Sequence, residues 1–191
     1  MGKFFLPFLI FLAAPAAAQS PSLLAELRAG GYVLYLRHAS TDFSQNDSQM
    51  KGYEDCGNQR NLTDKGRAEA RAIGEHVRRL KIPIGTVLAS PFCRTMETAR
   101  LAFGKAQAMN EVRGGPARPD DPARYAPLRK LLSTAVPKGG NLVISSHGNP
   151  FYAVAGPPSL AEGETAVIRP GGQNGFTVVG RIPVGEWQGL R

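Results

Sequence analysis

Alternating strand and helix signals predict an α/β protein built on a layered, mostly parallel sheet. Short runs rich in β-formers at 32–36, 86–90 and 141–145 are separated by segments whose apolar residues recur at helical spacing. Parallel neighbours need such crossover connections. Two later runs, TAVIR at 165–169 and FTVVGRI at 176–182, flank the turn PGGQNG. They leave antiparallel pairing open at the end of the chain.

Each element has a local cause. SPSLLAELRAGG at 20–31 reads as a short helix: Ser20 caps it, Pro21 suits its first turn, Leu23, Leu24 and Leu27 share a face, and Gly30 ends it. The polar loop 40–61 exceeds ordinary connection lengths and is read as functional. In LTDKGRAEARAIGEHVRRL, Thr63 caps a helix that carries Ala70, Ile73, Val77 and Leu80 on one face. The strand 86–90 passes through Ser90 and Pro91 into a helix where Phe92, Met96, Ala99 and Phe103 step at helical intervals. Gly, Pro and Asp make 104–122 a loop. A helix around 128–136 precedes the strand 141–145. There is no internal repeat or linker, and 191 residues fit one domain, so 20–191 is read as a single domain.

The first nineteen residues, MGKFFLPFLIFLAAPAAAQ, differ from the rest. A lysine precedes an apolar run broken by Pro7 and Pro15, and Ala16 to Ala18 supply the small residues of a cleavage site. This predicts a cleaved signal peptide over 1–19 and a periplasmic or secreted protein, with a retained membrane anchor as the alternative. In an oxidising compartment the even pair Cys56 and Cys93 is expected to form a disulfide; two free buried thiols are the other reading. The net charge of +8, one unit of which is Lys3 in the leader, favours anionic partners. No aromatic-interleaved basic patch or recognition-module signature suggests nucleic acid.

Ligands of open α/β sheets bind beyond the carboxyl ends of the strands, where helix N-termini also point. The first strand ends in Arg37 and His38, the second leads to Arg94, and the third ends in His147. A lone Arg-His pair is commonly surface, and a lone histidine is often a satisfied core residue. Four such residues arriving at one edge from three strands describe an anion site suited to phosphate. His76, inside a helix beside Glu75 and Arg78, is read as a surface residue. A neutral histidine there can attack phosphorus and split one displacement into two. A carboxylic acid must then protonate the leaving oxygen.

LRHAST, NLTDKGRAEA, SPFCRTMETA and SSHGN, in that order, resemble the histidine phosphatase superfamily, also called phosphoglycerate mutase-like. The resemblance runs from Tyr32 to the end of the chain. It implies a three-layer α/β/α sandwich with a mostly parallel central sheet. It makes His38 the catalytic, phosphate-accepting nucleophile, and Arg37, Arg94 and His147 the phosphate pocket. The implied substrate is a small phosphate ester and the product inorganic phosphate, with no metal or other cofactor. Ala39 stands where the family often has glycine. For the general acid, the Gly163–Glu164 pair matches members with a late Gly-Glu motif, so Glu164 is preferred, then Glu162, then Glu111; a solvated or capping glutamate is the alternative.

Competing chemistries fit less well. Cys93 is followed by Arg100, one position too late for a Cys-x5-Arg phosphatase, and no phosphate-binding G-x-x-x-x-G-K-[ST] loop occurs. A mutase or a phosphohistidine protein phosphatase would find its usual substrates in the cytoplasm. A non-catalytic phosphate-binding or envelope-interaction protein on the same fold stays open. The leading reading is an exported phosphomonoester phosphatase.

Overall fold

Six strands form one sheet in the order β3-β2-β4-β1-β5-β6. The computed structural model describes residues 22–115 and 123–190. The expected leader, Ser20, Pro21, Asp120 and Asp121 lie outside the described residues. Strands β1 (Val33–Arg37), β2 (Ile84–Ala89), β3 (Gln107–Ala108) and β4 (Asn141–Ser146) run parallel. β5 (Thr165–Pro170) pairs antiparallel with both β1 and β6 (Phe176–Ile182).

Alternation along the central strand explains the layers. Leu34 and Leu36 of β1 join one buried cluster, whereas Val33 and Tyr35 join another on the opposite face. The first cluster receives helices α1 (Leu23–Ala29), α2 (Asp64–Arg79) and α3 (Cys93–Phe103), and is closed by Trp187. The second receives α4 (Ala126–Ser133) and α5 (Gly148–Ala155). A sheet between two helical layers is the three-layer sandwich expected above.

Most local expectations hold at the level of existence, and the departures have causes. Thr63 caps α2 by accepting the Gly66 N–H at 3.0 Å. Ser22, not Ser20, caps α1, accepting from the Ala25 N–H. The segment expected as loop contains β3, whose two residues pair with Leu88 and Ala89 at the sheet edge. α4 starts two residues earlier than expected and ends at Ser133, where Thr134 turns extended. Helix α5 had no sequence signal of its own: it has eight residues, begins on glycine, and carries Pro150 in its first turn. Among the described residues, no helix is long and apolar enough to cross a membrane.

Two buried polar devices fix the layers. Asn141 donates to the Leu27 and Pro83 carbonyls at 2.8 and 2.9 Å and accepts the Tyr32 N–H, tying α1 to both edges of β4. Cys56 and Cys93 are joined by a disulfide that fastens the 40–61 loop to the start of α3. The same junction is held by the Cys93 N–H, which donates to Gln59 Oε1 at 2.9 Å. Closing a loop with a sequence separation of 37 stabilises the chain by roughly 3–4 kcal/mol in the chain-entropy model. Replacing both cysteines by serine is expected to lower the urea unfolding free energy by about that amount, with the far-ultraviolet spectrum unchanged.

Candidate active site

The register of β1 and β4 builds the centre of the site. Arg37 lies opposite Ser146, so the residues that follow, His38 and His147, leave the sheet side by side. The His38 N–H donates to the Ser146 carbonyl at 2.9 Å, and the two rings meet edge-on with centroids 5.4 Å apart. β2 supplies the third approach: the Ser90 N–H donates to the Ser145 carbonyl, and Ser90 Oγ lies 2.8 Å from His147 Nε2. Arg94 follows in the first turn of α3. His147 is also the N-cap residue of α5, so a helix N-terminus opens beside it.

These residues line a cleft of about 720 Å³. Arg37, His38, Arg94 and His147 all face it, as expected, and Arg60 joins them. Sequence reasoning passed over Arg60, although it precedes the quoted NLTDKG block directly. The Nε atoms of Arg37, Arg60 and Arg94 are each buried without a hydrogen-bond partner. Buried donors are normally satisfied, so three unpartnered guanidinium nitrogens around one cleft describe a cradle suited to an anion. Gly114 makes room at the wall, since a Cβ there would sit 2.8 Å from His147 Cδ2.

Both histidines are held neutral. Burial, with the charges of Arg94, Arg37 and Arg60, pushes the His38 imidazole down to about 3, against the opposing pull of the Ala39 carbonyl. Burial and the same surroundings hold His147 well below the ordinary histidine range. His38 Nδ1 lies 3.0 Å from the Ala39 carbonyl. A carbonyl only accepts, so Nδ1 carries the proton and Nε2 keeps its lone pair.

The three carboxylates expected as candidate acids are scattered. Glu164 is taken up by Arg181, whose Nε and Nη2 donate to it at 2.6 and 2.9 Å, and it also accepts the Ala161 N–H at 2.7 Å. Burial raises its carboxyl, but these donors more than offset that and hold it below the ordinary range. Arg181 also donates to the Pro158 and Ser159 carbonyls, so Glu164 serves as a staple for the loop before β5. Glu111 is exposed in a short helical turn and lines a separate small pocket with Arg113 and Tyr125.

Glu162 is the candidate that comes near His38. Its Oε1 stands 3.8 Å from His38 Nδ1 and 3.7 Å from Arg37 Nη2, and it accepts from the Thr41 hydroxyl and N–H at 2.6 and 3.1 Å. Gly163 sets this choice: at φ 74 its N–H donates to the His38 carbonyl at 2.9 Å. The glycine of the Gly-Glu pair therefore turns the residue before it toward His38.

Asp47, from the long loop, is the one carboxylate among the described residues lining the cleft. Its two oxygens accept Arg94 Nη1 and Nη2 at 2.9 and 3.0 Å, and Oδ1 also accepts the Arg60 N–H at 2.9 Å. Among the described residues, no group of three or more His, Cys, Asp or Glu side chains is placed to hold a metal ion.

A model of the histidine phosphatase superfamily (branch 1) matches residues 33–114, which carry His38, Arg94 and the motifs around them. Over that span, which is less than half of the chain, the sequence is similar to the histidine phosphatase superfamily. Comparison with curated protein sequences finds no significant match. Among solved structures it is similar to the protein histidine phosphatase SixA bound to tungstate, at 20% identity and a TM-score of 0.53, covering 81% of this chain and 98% of that one. It is also similar to a mycobacterial glucosyl-3-phosphoglycerate phosphatase bound to inorganic phosphate, at 18% identity and a TM-score of 0.54, covering 73% and 89%. A phosphoserine phosphatase mutant from Entamoeba histolytica bound to phosphoserine aligns at 12% identity and a TM-score of 0.51, covering 78% and 95%. At these identities the likeness speaks for the fold alone.

The two neutral histidines carry a stability consequence. Unfolded imidazoles protonate near 6.5, whereas His38 resists protonation until about 3. Below 6.5 the unfolded chain therefore binds more protons, and stability, complete above that pH, declines as pH falls toward 3. In phosphate-free buffer, urea unfolding is expected to show a loss of about 2 kcal/mol attributable to His38 between pH 7.5 and 5. A His38→Asn variant should show a shallower slope over the same interval.

Proposed function

We propose that this chain is an exported, single-domain phosphomonoester phosphatase that works through a phosphohistidine on His38 and needs no metal. The observation that carries the reading is a neutral His38, with Nε2 unprotonated, in a cleft walled by unpartnered arginine donors. Export is supported by the apolar leader and fits the Cys56–Cys93 disulfide.

In the first step, Nε2 of His38 attacks phosphorus in line with the ester oxygen. The N–P bond forms as the P–O bond breaks, and its electron pair stays on the leaving oxygen, which takes up a proton. Arg37, Arg94, Arg60 and His147 neutralise the phosphoryl oxygens as charge redistributes. In the second step water attacks phosphorus, the N–P bond breaks, and His38 regains its lone pair with release of inorganic phosphate.

Glu162 approaches the ring from the Nδ1 edge, opposite the nitrogen that attacks. A group behind the nucleophile cannot reach a leaving oxygen that departs on the far side of phosphorus. Its role in this reading is to stabilise the positive charge that the ring acquires on phosphorylation, and to hold Arg37 and Thr41 in place.

The test is hydrolysis of an aryl phosphate and an alkyl phosphate by the mature protein in EDTA. Turnover is expected to survive the chelator and to vanish in His38→Ala, and rapid quenching in alkaline denaturant is expected to trap an acid-labile, alkali-stable phosphoenzyme only with His38 present. Glu162→Gln should lower kcat by about 10–100-fold on both esters alike, since it acts on the ring and not on the leaving group. Undiminished turnover in His38→Ala would refute the mechanism, and loss of activity in EDTA would refute metal independence.

A further inference from the structure

We propose that Asp47 is the catalytic acid and base of this cleft, giving its proton to the leaving oxygen and then accepting one from the attacking water. The inference rests on the phosphatase reading above. It starts from an elimination by position: Glu164 is occupied by Arg181, Glu111 faces another pocket, and Glu162 stands behind the nucleophile. Asp47 alone among the described carboxylates lines the cleft, with about a third of its side chain exposed to it.

Counting the donors of Arg94 shows where phosphate would lie relative to Asp47. Nη1 gives one N–H to Asp47 Oδ1 and one to the Arg60 carbonyl, and Nη2 gives one to Asp47 Oδ2. What remains is the Nε–H, which has no partner, and the second Nη2–H beside it. Those two lie along one edge of the planar guanidinium and match two oxygens of a phosphoryl group. A phosphate ester on that edge shares Nη2 with Asp47, so its oxygens and the carboxylate are neighbours by construction.

The placement is built and not incidental. Asp47 Oδ1 is pinned by the Arg60 N–H, Arg60 itself lines the cleft, and the loop is fastened by the disulfide next to Arg94. Burial raises the Asp47 carboxyl, but Arg94 and the Arg60 N–H win and keep it ionised. A phosphate on the other edge of the same guanidinium shares its positive charge with Asp47 and adds negative charge beside it, which favours a proton on Asp47. An ester bound as its monoanion brings that proton. It passes through Asp47 to the alcohol oxygen in the first step; the proton lost by water goes to Asp47 in the second and leaves with the product as monoanionic phosphate, so Asp47 ends ionised as it began.

The experiment measures kcat/KM over a series of phosphate monoesters with leaving groups from nitrophenol to alkyl alcohols. Wild type is expected to show weak dependence on leaving-group basicity. Asp47→Asn is expected to lose about 10²–10⁴-fold on alkyl esters and no more than about tenfold on nitrophenyl phosphate. Added formate should restore part of the alkyl activity in Asp47→Ala. Asp47→Ser, whose hydroxyl still accepts the Arg60 N–H, gives the same comparison if the asparagine variant does not fold. An equal loss across the series would make Asp47 only a holder of Arg94 and overturn the assignment. So would unchanged rates, or a gain from removing a carboxylate that merely competes with phosphate. An inactive wild type would instead refute the phosphatase reading itself.

Discussion

Parallel pairing of β1 with β4 is the constraint on which the site depends. Two chain segments more than a hundred residues apart are brought into register so that Arg37 faces Ser146. A shift of one residue would turn His38 and His147 to opposite faces of the sheet, because side chains alternate along a strand. The register is held from both faces: Leu34 and Leu36 are buried in one layer, Val33 and Tyr35 in the other. Tyr35 adds a polar check, since its hydroxyl donates to the His147 carbonyl at 2.8 Å. The core therefore fixes the chemistry by fixing which residues leave the sheet together.

Around that pair, charge is arranged in opposition. Three arginines face the cleft, and two carboxylates, Asp47 and Glu162, hold them without filling it. Phe92 supports the arrangement, with the Arg94 guanidinium 4.6 Å above its ring and the His147 ring packed edge-on against it. Desolvating so much positive charge around two imidazoles keeps them neutral, which is what nucleophilic attack requires of one of them.

The strands other than β3, most of the helices and the edge positions of Arg37, His38, Arg94 and His147 were legible in the sequence because each depends on short-range periodicity. Helix α5 was not, since its eight residues carry glycine and proline where a sequence pattern looks for helix formers. The carboxylates were the hardest to place. Whether Glu162 or Glu164 turns toward His38 depends on Gly163 at positive φ and on Arg181, which reaches Glu164 from β6. Asp47 lies in a loop whose path is set by its own Arg60 and by distant contacts, the Arg94 ion pair and the Cys56–Cys93 bond. Such positions follow from tertiary routing, which spacing within one segment does not encode.

The Cys56–Cys93 bond also has a meaning for motion. Asp47 and Cys56 belong to one loop, and Cys93 and Arg94 are adjacent in the chain. The crosslink therefore works as a short tether between a carboxylate and the guanidinium it pairs with. Held so, the two partners stay at high effective concentration toward each other. Noncovalent contacts alone would leave that pairing to the loop's own order.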